Sequence, residues 1–378
     1  MTNSSALRSA RIDFLRGVSI FAVLALHFSL SYGLVKSPLA QIIPANWIRA
    51  AVTNGNYGVT LFFVISGFLI TSNNLLRYGN LGQVSLRQFY AFRFSRIIPP
   101  ILLALCIIVP LGLLDVPSFM NSRHGQPCPP AFFAIAVLSV LTFWHNVLMQ
   151  AVGYFNYCLN IYWSLSVEEV FYLTFPLACV MLKRDRYIIA LCIAAIVVGP
   201  IYRSFHTDNE IYFMYAYPAC FDAIAFGCLS ALLQRKVALG PHLGALIRYA
   251  SGVGLAVCYF AGIDGHEIFG FSLIALCAVG LLTNAFEPSA QISRFNPGRI
   301  VAWFGKHSYE LYLFHIILLA GLRDLVPKAT LPYTLKLPLF VAFLSLSGLL
   351  AGVVARYFAD PLNARLRRCL ASDPQTMP

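Results

Sequence analysis

Ten stretches of this 378-residue chain are apolar for long enough to cross a bilayer, and the segments between them are short. A spanning helix needs roughly 17–25 predominantly apolar residues. Such runs stand at 14–34, 57–75, 97–115, 160–182, 187–203, 217–234, 246–263, 267–285, 308–326 and 336–357. Composition agrees, with 59% hydrophobic and 11% charged residues. A soluble domain carries about 25% charged residues, so a water-soluble enzyme, a disordered chain and a coiled coil are all excluded. The sequence predicts an all-α polytopic membrane protein of about ten transmembrane helices, with an eleventh, shorter apolar segment at 131–149 that re-enters the membrane without crossing it.

Charge by position orients the spans. With 131–149 re-entrant, both chain ends fall on one side, and 20 of the 27 Lys and Arg residues fall with them. These include Arg8, Arg11, Arg16, Arg93, Arg96, the Lys183-Arg184-Asp185-Arg186 cluster, Arg294, Arg365, Arg367 and Arg368. Outside remain Lys36, Arg49, Arg123, Arg203, Arg323, Lys328 and Lys336. The net charge of +12 is therefore the positive-inside bias of a membrane protein, not a nucleic-acid surface. One membrane domain is expected over 1–378, with short cytoplasmic tails at 1–11 and 359–378. Asp13 and Arg16 interrupt the first run, which argues against a cleaved signal peptide. Ten cysteines are scattered without metal-ligand spacing, and no metal is expected. Cys128 and Cys158 both fall outside, where an oxidising compartment permits a disulfide; two free thiols are the alternative.

Ionisable residues within spans are costly and mark function by default. Arg16 and His27 lie eleven residues apart, which on a helix returns to within about 20° of one face and separates them by about 16 Å. Asp13 shares that stripe. A neutral imidazole oriented in a low-dielectric pocket suits proton abstraction from a hydroxyl. Arg93 and Arg96, at i and i+3 before Pro99-Pro100, are spaced to bind phosphates bidentately. Glu168 and Glu169 point about 100° apart near the outer end of the fourth span, so at least one should face a polar cavity. Ser308, Tyr312 and His315 form a single stripe, and Asp222 is a further buried acid.

Together these motifs resemble the acyltransferase-3 family of integral membrane acyltransferases, over essentially the whole chain. Arg16 and His27 match its Arg/Lys-x10-His signature. GVTLFFVISGFLI at 58–70, FYAFRFSRIIPP, WSLSVEEVFYL and SYELYLFH follow in the family's order. The resemblance implies transfer of an acyl group, often acetyl, from cytoplasmic acyl-CoA to a carbohydrate hydroxyl on the extracytoplasmic side of a bacterial inner or plasma membrane. It implies His27 as the catalytic histidine, Arg16 as its motif partner, Glu168 as the better candidate of its pair, and Arg93 with Arg96 as ligands of the CoA phosphates. Ser66, Trp163 and Ser164 enter as supporting motif positions. Thr60 stands where the family carries Asp, and Asp360-Pro361 where Glu-Pro is common. A stand-alone form, without a fused extracytoplasmic esterase-like domain, is expected. The competing class is a transporter or flippase using a buried His/Arg/Asp/Glu relay, against which no inverted hydropathy repeat is visible.

Overall fold

A computed structural model describes residues 9–123, 125–237, 239–286 and 297–371. Arg8, Arg294 and the outer ends of both tails lie outside the described residues. The chain is built of α1 (Ala10–Tyr32), α2 (Ala45–Thr53), α3 (Tyr57–Tyr78), α4 (Leu86–Leu113), α5 (Phe132–Leu141) and α6 (His145–Val152). There follow α7 (Tyr162–Leu182), α8 (Asp185–Ser204), α9 (Glu210–Tyr215), α10 (Tyr217–Lys236) and α11 (Pro241–Ala261). The rest comprises α12 (Glu267–Leu281), α13 (Pro297–Lys306), α14 (Ser308–Leu325), α15 (Lys336–Val354) and α16 (Asp360–Ala371). Among the described residues the only strands form one two-residue hairpin, Ser122–Arg123 against Gln126–Pro127. The protein is all-α and integral to the membrane.

Every one of the ten expected spans is helical, but not all are equivalent. Eight helices among the described residues are long and apolar enough to cross. The other two expected spans are α12, only 15 residues long, and α14, whose 18 residues include Glu310, Arg323 and Asp324. The 131–149 segment is two short helices, α5 and α6, broken at Phe143, which takes a positive φ of 63°. The third span starts eleven residues earlier than its apolar run, at Leu86, and continues through Pro99, Pro100 and Pro110. Spanning helices tolerate proline where the surroundings satisfy the freed backbone groups. Beside the first two prolines the Tyr309 hydroxyl donates to the Ile97 carbonyl at 2.8 Å, tying α14 to α4.

The contacts divide into two compact units. The first comprises Met1–Leu81, Leu182–Ser308 and Pro332–Pro338. Its helices cross at glycines. A Cβ on Gly67 of α3 would strike the Ile224 carbonyl of α10, and one on Gly227 of α10 would strike the Val64 carbonyl of α3. This reciprocal contact lets two backbones approach closely, which is how helices associate where lipid removes the hydrophobic driving force. In the same unit Arg203 closes α8 onto α10. The sequence puts Arg203 at the outer end of the 187–203 span, among the outside charges, and the structure buries it completely in the last turn of α8. Its guanidinium donates to Asp222 at 2.7 Å, to Ser272 at 2.7 Å, and to the Ile268 and Ala219 carbonyls. Asp222 further accepts from Ser272 and from the Ala223 N–H. Several inside arginines are structural as well. Arg11 and Arg248 both donate to the Thr283 carbonyl, capping the C-terminal end of α12 where the helix dipole favours cations.

The second unit comprises Gly82–Met181, Tyr309–Leu331 and Leu339–Pro378. The first half of α4 is held on one side by α7, through Tyr90 and the Leu173 carbonyl at 2.7 Å. On another side α16 holds it, through Ser95 and Asn363 at 3.0 Å and Arg367 over the Phe92 ring. The segment between α6 and α7 is organised by Asn156, whose amide donates to the Phe119 carbonyl and Asn121 while its oxygen accepts from the Cys158 and Leu159 N–H groups.

The Arg203–Asp222 pair yields a stability prediction. Asp222→Leu strands a buried guanidinium and should cost about 3–5 kcal/mol, whereas an Arg203→Met, Asp222→Leu double variant should lose far less. Thermal unfolding of the four proteins of that cycle in detergent checks it, and equal losses for single and double variants would refute the assignment.

Candidate functional site

In the first unit the site is built along α1. Asp13, Arg16 and His27 all lie on this helix, half-buried, with Arg16 and His27 three turns apart. The Arg16 Nε donates to the Ser308 hydroxyl at 3.1 Å, and Ser308 is buried. Two of the residues singled out by sequence are thus brought together across 292 positions. Glycine makes the approach possible. Gly17 of α1 faces the Val301 carbonyl of α13, and Gly305 of α13 faces the Asp13 carbonyl, each at a distance no Cβ would permit. Phe21 stacks on Phe304 at 4.5 Å between the same helices. α13 therefore clamps the first half of α1 and sets the guanidinium in place. Ser66, on α3, is half-buried next to the Gly67 crossing. Asp222 belongs to this unit too, but its carboxylate is spent on Arg203, Ser272 and a backbone N–H.

In the second unit α7 carries two polar faces. On one lie Ser164, Glu168 and Tyr172. The Tyr312 hydroxyl donates to the Ile161 carbonyl at 2.9 Å and lies 2.6 Å from the Ser164 hydroxyl. The Ser164 hydroxyl reaches the same Ile161 carbonyl at 3.3 Å, so the two hydroxyls share one acceptor and either can donate to the other. Glu168 is half-buried and accepts from the Tyr172 hydroxyl at 3.2 Å. The Tyr172 ring in turn carries Arg93, whose guanidinium carbon sits 4.4 Å from the ring centroid and 5.7 Å from that of Phe89. Glu169, on the other face, is more buried than Glu168, at 5% exposed, and its Oε1 has no hydrogen-bond partner. Arg93 is the cation within electrostatic reach of it. The desolvated carboxylate of the pair is therefore Glu169.

Arg93 and Arg96 lie within α4 rather than in a loop before it, because the helix does not stop at the prolines. The two forks have different surroundings: Arg93 is half-buried against aromatic rings, and Arg96, one turn on, is exposed. Trp163 is buried in the first turn of α7. His315 is fully buried and donates from Nδ1 to the Leu311 carbonyl at 2.8 Å, a bond within its own helix. Tyr312 and His315 rings stand 6.0 Å apart. Cys128 and Cys158 are both free thiols, so the permitted disulfide is not formed. Cys158 is buried with its thiol toward the Ser118 carbonyl at 3.6 Å, and burial pushes that thiol's pKa up. Such a thiol stays protonated and inert. Among the described residues no three His, Cys, Asp or Glu side chains gather as a metal ion would require.

Sequence reasoning passed over α13, Arg203, Tyr172 and His145. α13 is short and amphipathic, and nothing local marks Gly305 as a contact. A tyrosine one turn after Glu168 was the available signal for Tyr172.

The acyltransferase-3 family model, described as an acyltransferase domain, matches residues 9–357, running through both units. The chain belongs to that family. Among curated proteins it is similar to O-acetyltransferase OatA of Staphylococcus aureus strain NCTC 8325 / PS 47, at 24% identity over 386 residues, covering 96% of this chain and 58% of the relative. OatA of S. aureus strain COL matches to the same extent. A further protein of strain COL, named provisionally as an O-acetyltransferase, is 24% identical over 363 residues, covering 89% of this chain and 55% of its own length. The chain thus spans somewhat over half the length of the curated relatives it matches. No solved structure matches it.

Arg93 and Glu169 are linked by charge at a distance rather than by a hydrogen-bonded ion pair, and that coupling is testable apart from activity. In the double-mutant cycle of Arg93→Gln and Glu169→Gln, unfolding temperatures should show a small non-additive part, the double variant losing less than the sum of the singles. Strictly additive effects would rule out the coupling.

Proposed function

We propose that the protein is a membrane O-acetyltransferase that moves an acetyl group from cytoplasmic acetyl-CoA, or a related acyl-CoA, to a carbohydrate hydroxyl on the extracytoplasmic side. The observation that carries this reading is the α1 stripe: a guanidinium anchored on buried Ser308 with an imidazole three turns further along the same helix, in a chain of the acyltransferase-3 family. The relatives' names supply the O-acetyl class. The positive-inside count supports a cytoplasmic side for both termini, and with them for the donor.

In this reaction the acceptor oxygen attacks the thioester carbonyl, the C–S bond breaks, and the hydroxyl proton ends on the departing thiolate. His27 carries that proton, or first takes the acyl group on its own ring nitrogen and passes it on; both routes run through the same imidazole. Arg16, fixed by Ser308, supplies a positive charge on the same face of α1. Arg96 is exposed and suited to bidentate contact with the phosphates of CoA, while Arg93, held on Tyr172, adds charge from a fixed position. Glu168 and the Ser164–Tyr312 pair are the polar groups of α7 and α14 that line the same function. The charge scarcity of the chain as a whole supports this reading, since ionisable groups within spans are costly and mark function by default.

Purified protein with labelled acetyl-CoA and a carbohydrate acceptor tests the proposal. His27→Ala should abolish transfer, by at least about 10³-fold, within the range of losses seen for general acid–base and covalent groups. A pre-steady-state burst in the wild type identifies the acyl-histidine route. Undiminished turnover in His27→Ala refutes the role, and an inert thioester in the wild type points to transport instead. Arg96→Ala should raise KM for acetyl-CoA about tenfold, equivalent to about 1.4 kcal/mol, with kcat largely kept. An unchanged KM would remove Arg96 from the donor site.

A further inference from the structure

A concentration of buried polar atoms without partners lies on α6 and α7 of the second unit. The Nε2 of His145, the hydroxyl of Tyr162 and the Oε1 of Glu169 each lack a hydrogen-bond partner. All three residues are buried, His145 completely and Tyr162 to 1% exposure. None of this follows from a family motif position except Glu169. Buried polar groups are satisfied in nearly every native protein, so a cluster that is not calls for a ligand or ordered water. The groups are also rigidly presented. The His145 backbone N–H donates to the Ser166 hydroxyl at 3.1 Å, which donates to the Tyr162 carbonyl at 3.1 Å. The His145 Nδ1 is engaged with the Ser139 hydroxyl at 2.8 Å, leaving Nε2 as the end of the ring that is open. The rings of His145 and Tyr162 stand 6.5 Å apart at 72°, and Tyr162, Ser166 and Glu169, at i, i+4 and i+7, share one face of α7. The Tyr162 hydroxyl is within electrostatic reach of Tyr312.

The chemistry of this set selects among ligands. A phenol, an imidazole nitrogen and a carboxylate oxygen exchange hydrogen bonds with hydroxyl groups. An anion would find no positive charge among these three groups, and a metal ion would find too few ligands, since among the described residues no three His, Cys, Asp or Glu side chains gather. The Phe155 ring, 5.2 Å from the His145 ring, adds the apolar wall that the C–H face of a sugar packs against. We propose that His145, Tyr162 and Glu169 form a subsite that binds hydroxyl groups of the carbohydrate acceptor. This rests on the carbohydrate reading of the acceptor given above. Because His145 is fully buried, the sugar enters by displacement of α6 about the break at Phe143 between α5 and α6.

Tyr162→Phe is the sharp probe, because it deletes only a hydroxyl that has no partner within the protein. Removing such an atom should leave the unfolding temperature of the ligand-free protein unchanged or slightly higher. Full-length protein in detergent would be titrated with chitotetraose and maltotetraose, following the sugar-dependent rise in unfolding temperature. At least one saccharide should raise it in the wild type, and Tyr162→Phe should weaken that binding about tenfold, the worth of one hydrogen bond. His145→Gln, which keeps a hydrogen-bonding side chain, should weaken it less than His145→Ala. A clear drop in the unfolding temperature of sugar-free Tyr162→Phe would overturn the proposal, since the hydroxyl would then have an internal partner. So would full retention of sugar binding in that variant, or the absence of any sugar effect in the wild type. Acetyl-CoA turnover is measured separately. Turnover without saccharide binding defeats the subsite and leaves the acetyltransferase reading standing; Tyr162-dependent saccharide binding without turnover does the reverse.

Discussion

Within a bilayer a polar side chain has no water to fall back on, and the cost of leaving it unsatisfied governs where each polar residue of this chain sits. Arg203 shows one way of meeting that constraint. Every direction of its fork is met: a carboxylate, a hydroxyl and two carbonyls receive it, and its partner Asp222 is satisfied from three sides. A charge so fully met has nothing left to offer a substrate, and it ties α8, α10 and α12 together. Arg11 and Arg248 do comparable work at the end of α12. Other groups are met differently. Arg16 donates through its Nε to the buried Ser308 hydroxyl, Arg96 is exposed, and Glu169 keeps one oxygen without a partner. The fold thus sorts its polar groups by the partners it brings to them.

Glycine supplies the positional accuracy that this sorting needs. The reciprocal Gly67 and Gly227 contacts bring α3 and α10 to backbone distance, and Gly17 with Gly305 does the same for α1 and α13. Such contacts fix register as well as distance, because a one-residue slide would put a side chain where only a hydrogen fits. For α1 the consequence reaches function: the register that seats Gly305 on the Asp13 carbonyl is the one that delivers Ser308 to Arg16.

Much of this was legible in the sequence. Hydropathy located the long helices, since a span announces itself by length, and scarcity of charge drew the eye to Arg16, His27, Arg93 and the glutamate pair. The boundaries were less legible. The α4 helix begins eleven residues before its apolar run because Phe89, Tyr90 and Phe92 interleave with its arginines and are packed by α7 and α16, a tertiary effect that local hydropathy does not report. Arg203, at the end of its apolar run, reads as one more outside charge because its partners lie 16 to 69 residues away.

The glutamate pair illustrates how packing decides between residues that sequence leaves nearly equal. Adjacent on α7, they are turned about 100° apart, and each face of the helix gives its carboxylate a different task. Glu168 meets a phenol, Tyr172, whose ring also seats Arg93. Glu169 is enclosed by packing, keeps one oxygen without a partner, and feels that same Arg93 only as a charge at a distance. The motif that appears in the sequence as two consecutive acids is, in three dimensions, one carboxylate tied through Tyr172 to the seat of Arg93 and one buried in the opposite packing.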